Sequence, residues 1–156
     1  MIKNEIELLD ISGDDSVLNI GSGPIPSTCI ILANKTDAKK IIGIDKNKES
    51  IVESKKIIKK FDLENKIEIM HSDAKDFSIK NYKAIIIAQG INPHREILEK
   101  IAEEMDKDTR VIFRTNSDND GSLTDNDLFI EDFFKIGNIA YQKQNSLMIS
   151  IVLLKK

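Results

Sequence analysis

The chain has 156 residues, 40% of them hydrophobic and 31% charged, with a formal net charge of −3. That length suits one domain with a proper core and is short for two, and the mixture excludes a disordered or fibrous chain. The acidic balance gives no global field for nucleic acid, and no stretch approaches the roughly 20 apolar residues of a membrane span. The opening MIKNEIELLD is charged every few residues and lacks an apolar leader region, so no secretory signal is expected. Cys29 is the sole cysteine, which excludes an internal disulfide and a cysteine zinc cluster and fits the cytosol. Isoleucine occurs 28 times and tryptophan never, so the core should be β-branched and rich in strands.

Short apolar runs alternate with amphipathic ones along the chain. Val17 to Ile20 predicts a strand that stops at Gly21, and Ile25 to Asn34 a helix. Ile41 to Ile44 predicts a second strand ending at Asp45. From Asn47 to Lys60, Ile51, Val52, Ile57 and Ile58 share one face and lysines the other, which is the pattern of an amphipathic helix. Ile67–Met70, Ala84–Ala88 and Arg110–Arg114 read as further strands, with a helix over His94–Met105. Strands apolar on both faces, alternating with helices, imply a parallel sheet covered on each side and doubly wound by right-handed crossovers. The tail differs: Ile136–Gln142 and Ser146–Leu154, joined around Gln144 and Asn145, predict an antiparallel hairpin. The fold class is α/β, one doubly wound Rossmann-like domain over residues 1–156 ending in that hairpin.

Ligands of open parallel sheets sit beyond the carboxyl ends of the strands. After the first strand comes Gly21-Ser22-Gly23-Pro24-Ile25-Pro26, where glycines permit a sharp turn and close approach of a ligand. Asp45 follows the second strand, placed to accept both hydroxyls of a ribose. Ser72-Asp73-Ala74 follows the third, at an adenine edge, and Gln89-Gly90-Ile91-Asn92-Pro93 follows the fourth. The third glycine of a dinucleotide loop is missing and prolines replace a bare amide nest, so a nucleoside without phosphate fits better than pyrophosphate. Asp73 in register with Asp45 points to S-adenosylmethionine rather than a nicotinamide dinucleotide.

VLNIGSGPIPSTCIILA, IIGID, IEIMHSDA and TRVIFRTN together resemble the class I S-adenosylmethionine-dependent methyltransferases and, more narrowly, the Rossmann half of nicotianamine synthases. The likeness covers Ser16 to Asn116, and GSGP-aliphatic-P-x-T with Arg114-Thr115 is its specific part. It implies that Gly21, Ser22 and Gly23 line the methionine part of S-adenosylmethionine, with Pro24 also among the cofactor-binding residues. It further implies that Asp45 holds the ribose, Asp73 and Ala74 the adenine, that Gln89 and Gly90 lie near the sulfonium, and that Lys46 is also cofactor-binding. Asn19 stands where many methyltransferases keep an acid. Nicotianamine synthases carry a helical domain before the Rossmann half that supplies a key glutamate; here about 15 residues precede the first strand, and Glu5 and Glu7 cannot build such a domain.

Other residues read more plainly. Cys29 lies in an apolar helical run and is expected in the core. His71 and His94 have no evident partners, although His94 sits near the sulfonium end. Lys46, Lys48, Lys55, Lys56, Lys59 and Lys60 describe a solvated helix face rather than a nucleic-acid surface. Asn116 to Asp127 approximates a calcium loop, but Asn opens it and Asp closes it, and a polar loop with Asp125 or Asn126 capping a helix over Asp127–Phe134 is the simpler account. Phe129, Phe133 and Phe134 are expected to pack in the core. The expected function is an S-adenosylmethionine-dependent methyltransferase of a small-molecule acceptor, with no catalytic residue or metal assigned. Two rivals stand beside it: aminocarboxypropyl transfer as in nicotianamine synthases, and a non-catalytic cofactor-binding subunit. A homodimer, a protein partner or a bulky acceptor would each close the site, and the sequence does not choose between them.

Overall fold

Seven strands form one sheet: β1 (Ser16–Ile20), β2 (Lys40–Asp45), β3 (Ile67–His71), β4 (Ala84–Ile87), β5 (Arg110–Asn116), β6 (Phe134–Tyr141) and β7 (Met148–Lys155). Their order is β3-β2-β1-β4-β5-β7-β6 in a computed structural model that describes residues 2–141 and 147–156. β1 to β5 pair in parallel. β7 runs antiparallel between β5 and β6. The expected hairpin is present; its connection around Gln144 and Asn145, with the expected ends Gln142 and Ser146, lies outside the described residues. Among the described residues no helix is long and apolar enough to cross a membrane.

The isoleucine-rich strands divide the core into two layers. Helices α1 (Ile2–Leu9), α2 (Ser27–Lys35) and α3 (Lys48–Lys60) bury Leu9, Cys29, Leu32, Ile51 and Ile58 against one face of the sheet. On the other face α4 (His94–Glu104) buries Ile97, Leu98 and Ile101, and the single turn α5 (Ile130–Phe133) adds Ile130. Each such aliphatic side chain contributes about 1.5–3 kcal/mol when fully buried. β1 and β4 are buried along nearly their whole length, as strands covered twice must be. β3 alternates instead, because it is the sheet edge and only one of its faces is covered.

Two elements differ from the sequence reading. α1 is too short for its periodicity to stand out. It is docked by polar contacts: Arg110 donates to the Leu8 carbonyl at 2.8 Å, and Arg114 pairs with Glu5. The helix expected over Asp127–Phe134 shrinks to α5, because the N–H groups of Ile130, Glu131 and Asp132 bond three residues back in successive turns. Neither Asp125 nor Asn126 caps it; Phe129 occupies the cap position without a side-chain bond. Of the three phenylalanines only Phe134 is fully buried, while Phe129 and Phe133 pack half-buried against the core.

Candidate functional site

The order of strand addition reverses about β1: β2 and β3 lie to one side, β4 and β5 to the other. Beyond the carboxyl ends at that switch point the loops must splay apart and leave a crevice. Gly21 leaves β1 at φ +76°, and a Cβ there would lie 2.9 Å from Ile91 Cγ2 and 3.1 Å from Ala88 Cβ. Only glycine fits both the backbone and the space. The N–H groups of Gly21 and Ser22 donate to the Ile44 carbonyl at 2.9 and 3.0 Å, pinning the loop to the end of β2. Amides committed in this way do not form an open phosphate nest.

A cavity of about 270 Å³ opens at this point. Gly21, Asp45, Lys46, Asp73, Ala74, Gln89 and Gly90 line it, among the residues singled out from sequence. Ser22, Gly23 and Pro24 do not. Ser22 turns back beneath the loop, 7% exposed, with its Cβ 3.1 Å from where a Gly43 Cβ would lie. Its hydroxyl is the one buried side-chain polar atom without a hydrogen bond among the described residues. Pro24 is exposed. Gly23 acts one step removed, donating its N–H to Asp45 Oδ2 at 2.9 Å.

Asp45 also accepts the Asn47 N–H on Oδ1 at 2.9 Å, while the Asn47 side chain accepts the N–H groups of Glu49 and Ser50 and caps α3. Such a cap stabilises a helix by about 1 kcal/mol. Asp45 is therefore oriented by both flanking loops, with lone pairs left over for hydroxyl donors. At the end of β3, Asp73 Oδ1 accepts the Lys75 N–H at 3.0 Å, and Oδ2 has no hydrogen bond among the described residues. Lys46 Nζ spans the mouth to the Asn92 carbonyl at 3.0 Å. Ile20, Ile44, Ile91 and Ile97 complete the wall. Two carboxylates around an aliphatic slot suit a neutral, hydroxyl- and amine-bearing heterocycle and repel a phosphate. Ile97 was legible only as a helix-core residue, since core and pocket share the same periodicity.

Across the switch point the polar groups differ. Gln89 Nε2 donates to Asn116 Oδ1 at 2.8 Å. His94, which the sequence left without partners, has one: its Nε2 lies 3.3 Å from Asp127 Oδ1. That link joins residues 33 apart whose loops meet only because β4 and β5 are neighbours. His71 is also engaged, with Nε2 3.0 Å from the Lys46 carbonyl. Asp127 being turned toward His94 and Thr115, the calcium-like loop does not converge. Asp120 instead bonds the N–H and hydroxyl of Ser122, and no cluster of three or more metal-ligating side chains occurs among the described residues.

Beneath the site, Asn19 is 1% exposed and satisfied, donating to the Ile86 carbonyl at 3.2 Å and accepting the Cys29 thiol at 3.4 Å. Burial pushes the Cys29 thiol up to about 12, so it is a core group and not a nucleophile.

Solved structures share this architecture. A mutant of MtNAS in complex with S-adenosylmethionine superposes with a TM-score of 0.83 at 20% identity, covering 99% of this chain and 60% of that one. An RNA methyltransferase from Salinibacter ruber in complex with S-adenosyl-L-homocysteine gives 0.74 at 14% identity, covering 99% and 90%. Magnesium protoporphyrin IX methyltransferase from Synechocystis PCC 6803 with bound SAM gives 0.77 at 16%, covering 99% and 78%. At these identities the likeness is one of fold. The chain spans about 60% of the length of the MtNAS chain. No curated protein matches the sequence. The family model described as "Nicotianamine synthase protein" matches residues 1–155, and the chain thus belongs to the nicotianamine synthase family.

Proposed function

We propose that residues 1–156 act as one unit that binds S-adenosylmethionine in the β1–β4 crevice and transfers its aminocarboxypropyl group to a small-molecule amine. The observation that carries the binding reading is that Asp45 and Asp73, at the ends of the adjacent strands β2 and β3, both line one aliphatic slot, beside a loop whose first amides are committed. In this assignment Asp45 and Lys46 hold the ribose, with Gly23 bracing Asp45; Asp73 and Ala74 receive the adenine. Gly21 gives close backbone approach, Ser22 and Pro24 shape the loop, and Gln89 and Gly90 border the sulfonium side. Two charge-assisted bonds from Asp45 to ribose hydroxyls are worth on the order of 1.5–3 kcal/mol each.

When bound, S-adenosylmethionine supplies an electrophilic carbon beside a sulfonium. What the chain adds is alignment of the nucleophile. Family membership over residues 1–155 favours aminocarboxypropyl transfer over the methyl transfer expected first from the sequence. Methyl transfer to a small molecule is the second reading, compatible with the sheet this chain shares with two methyltransferase structures. A single free, buried thiol supports the cytosol as the compartment. Product analysis decides the reaction. Aminocarboxypropyl transfer releases methylthioadenosine, methyl transfer releases S-adenosylhomocysteine, and a non-catalytic binding subunit releases neither.

A further inference from the structure

The His94 ring is fixed from three sides at the carboxyl ends of β4 and β5. Besides Asp127 at Nε2, it stacks on Phe113 with centroids 6.1 Å apart and packs against Phe129 at 5.8 Å. Arg95 covers the Phe129 ring at 4.9 Å. Asp127 is only 4% exposed, and its Oδ2 accepts the Thr115 hydroxyl at 2.5 Å, with Thr124 at 3.4 Å. Carboxylates are rarely buried so deeply unless paired. Among the described residues His94 is the only ion-pair partner Asp127 has. Thr115, Asp127 and His94 thus form a chain running from inside the fold to its surface.

That chain ends beside the cavity. His94 opens α4 directly after Asn92-Pro93; Asn92 and Ile97, two and three residues away, both line the cavity wall. Gln89 and Gly90, just after β4, line the same cavity. Nε2 makes an ion-pair contact of 3.3 Å with Asp127 Oδ1, neither ring nitrogen makes a hydrogen bond among the described residues, and the side chain is 35% exposed.

We infer that His94, oriented by Asp127, accepts the proton that the acceptor amine sheds as its nitrogen is alkylated. His94 is then a catalytic residue, and Asp127 and Thr115 are positioning residues. The inference rests on the transfer reading above. The amine lone pair forms the new N–C bond, and the pair of the breaking C–S bond leaves with the sulfur as a neutral thioether. The proton on nitrogen passes to His94 Nδ1, the imidazolium is held against the Asp127 carboxylate, and the proton leaves to solvent from the exposed edge of the ring. The site accordingly takes an acceptor whose attacking atom is an amine nitrogen.

The test uses the whole chain with S-adenosylmethionine and a mixture of the twenty standard amino acids, reading release of methylthioadenosine. His94→Gln should slow release by about 100-fold, the usual worth of a general base, while calorimetry with methylthioadenosine finds its Kd changed by less than about twofold. Nitrogen-15 NMR of the unsubstituted chain should find the His94 proton on Nε2 and Nδ1 bare, and Asp127→Asn should abolish that fixed tautomer. Release by His94→Gln within about threefold of the unsubstituted chain, or a proton on Nδ1 in the latter, overturns the inference alone. An unsubstituted chain that releases no product sinks the transfer reading and this inference with it.

Discussion

Asp45 Oδ2 accepts the Gly23 N–H at 2.9 Å, so the acid at the end of β2 and the glycine turn after β1 are a single unit. With Asn47 held on Oδ1, the same carboxylate also sets the start of α3. The side chain assigned to a ribose is thereby preorganised from two sides before any ligand arrives.

Asp45→Ala is expected to weaken S-adenosylhomocysteine binding at least about 10-fold, equivalent to roughly 1.4 kcal/mol. Asp45→Asn, which keeps one acceptor oxygen but gains a donor facing an N–H, should fall between alanine and the natural residue. Isothermal calorimetry on the three proteins gives the ranking; equal affinities for Asp45→Asn and the natural chain would contradict the role given to the second oxygen.

Gly21 and Gly23 should separate strain from space. Both have positive φ, so alanine costs about 1–2 kcal/mol of backbone strain at either. A Gly21 Cβ also meets Ile91 and Ala88, whereas nothing lies within 4 Å of one at Gly23. Gly21→Ala is therefore expected to lose more stability in urea and more ligand affinity than Gly23→Ala. Matched losses would mean that the Ile91 contact does not shape the cavity.

The fold was legible in the sequence wherever one physical cause dominated. Val17–Ile20 and Ala84–Ile87 are buried on both faces, and continuous apolar runs encode that directly. Asp45, Asp73 and Gln89 could be placed because strand ends are where ligands gather, whatever the details of packing. Long-range polar pairs left no such trace. Glu5 and Arg114 are 109 positions apart, and nothing local to either names the other. His94 and Asp127 were each read against their own neighbours, as a strayed histidine and a loop acid, although the sheet brings them together. Which way Ser22 turns is not legible in the sequence, because a turn's direction depends on the Ile44 carbonyl it binds.

Arg114 and Glu5 carry a prediction about stability. The guanidinium bonds both carboxylate oxygens, Nε to Oε1 at 2.9 Å and Nη2 to Oε2 at 2.7 Å, while Nη1 donates to Thr28 and Ser150 donates to Glu5. Glu5 is fully buried and Arg114 7% exposed. Glu5→Leu or Arg114→Met alone leaves a buried charge unpaired and should cost about 3–5 kcal/mol in urea unfolding. The double substitution should cost less than either single one. Additive losses would show that the two charges do not depend on each other.

Cys29 should resist alkylation. Its thiol is fully buried and its ionisation pushed up to about 12, chiefly by that burial, so little thiolate exists at pH 8 and reagents cannot reach it. Mass spectrometry after iodoacetamide at pH 8 should find native protein unlabelled and urea-unfolded protein labelled. Rapid labelling of the native chain would contradict the placement of α2 against the sheet.

Calorimetric titration of the chain with S-adenosylhomocysteine tests the core of the account most directly, since everything assigned to the crevice presumes that it accepts an adenosine thioether. Saturable, one-to-one heat that is reduced in Asp45→Ala is the predicted result. A folded chain giving no heat up to millimolar ligand would contradict it.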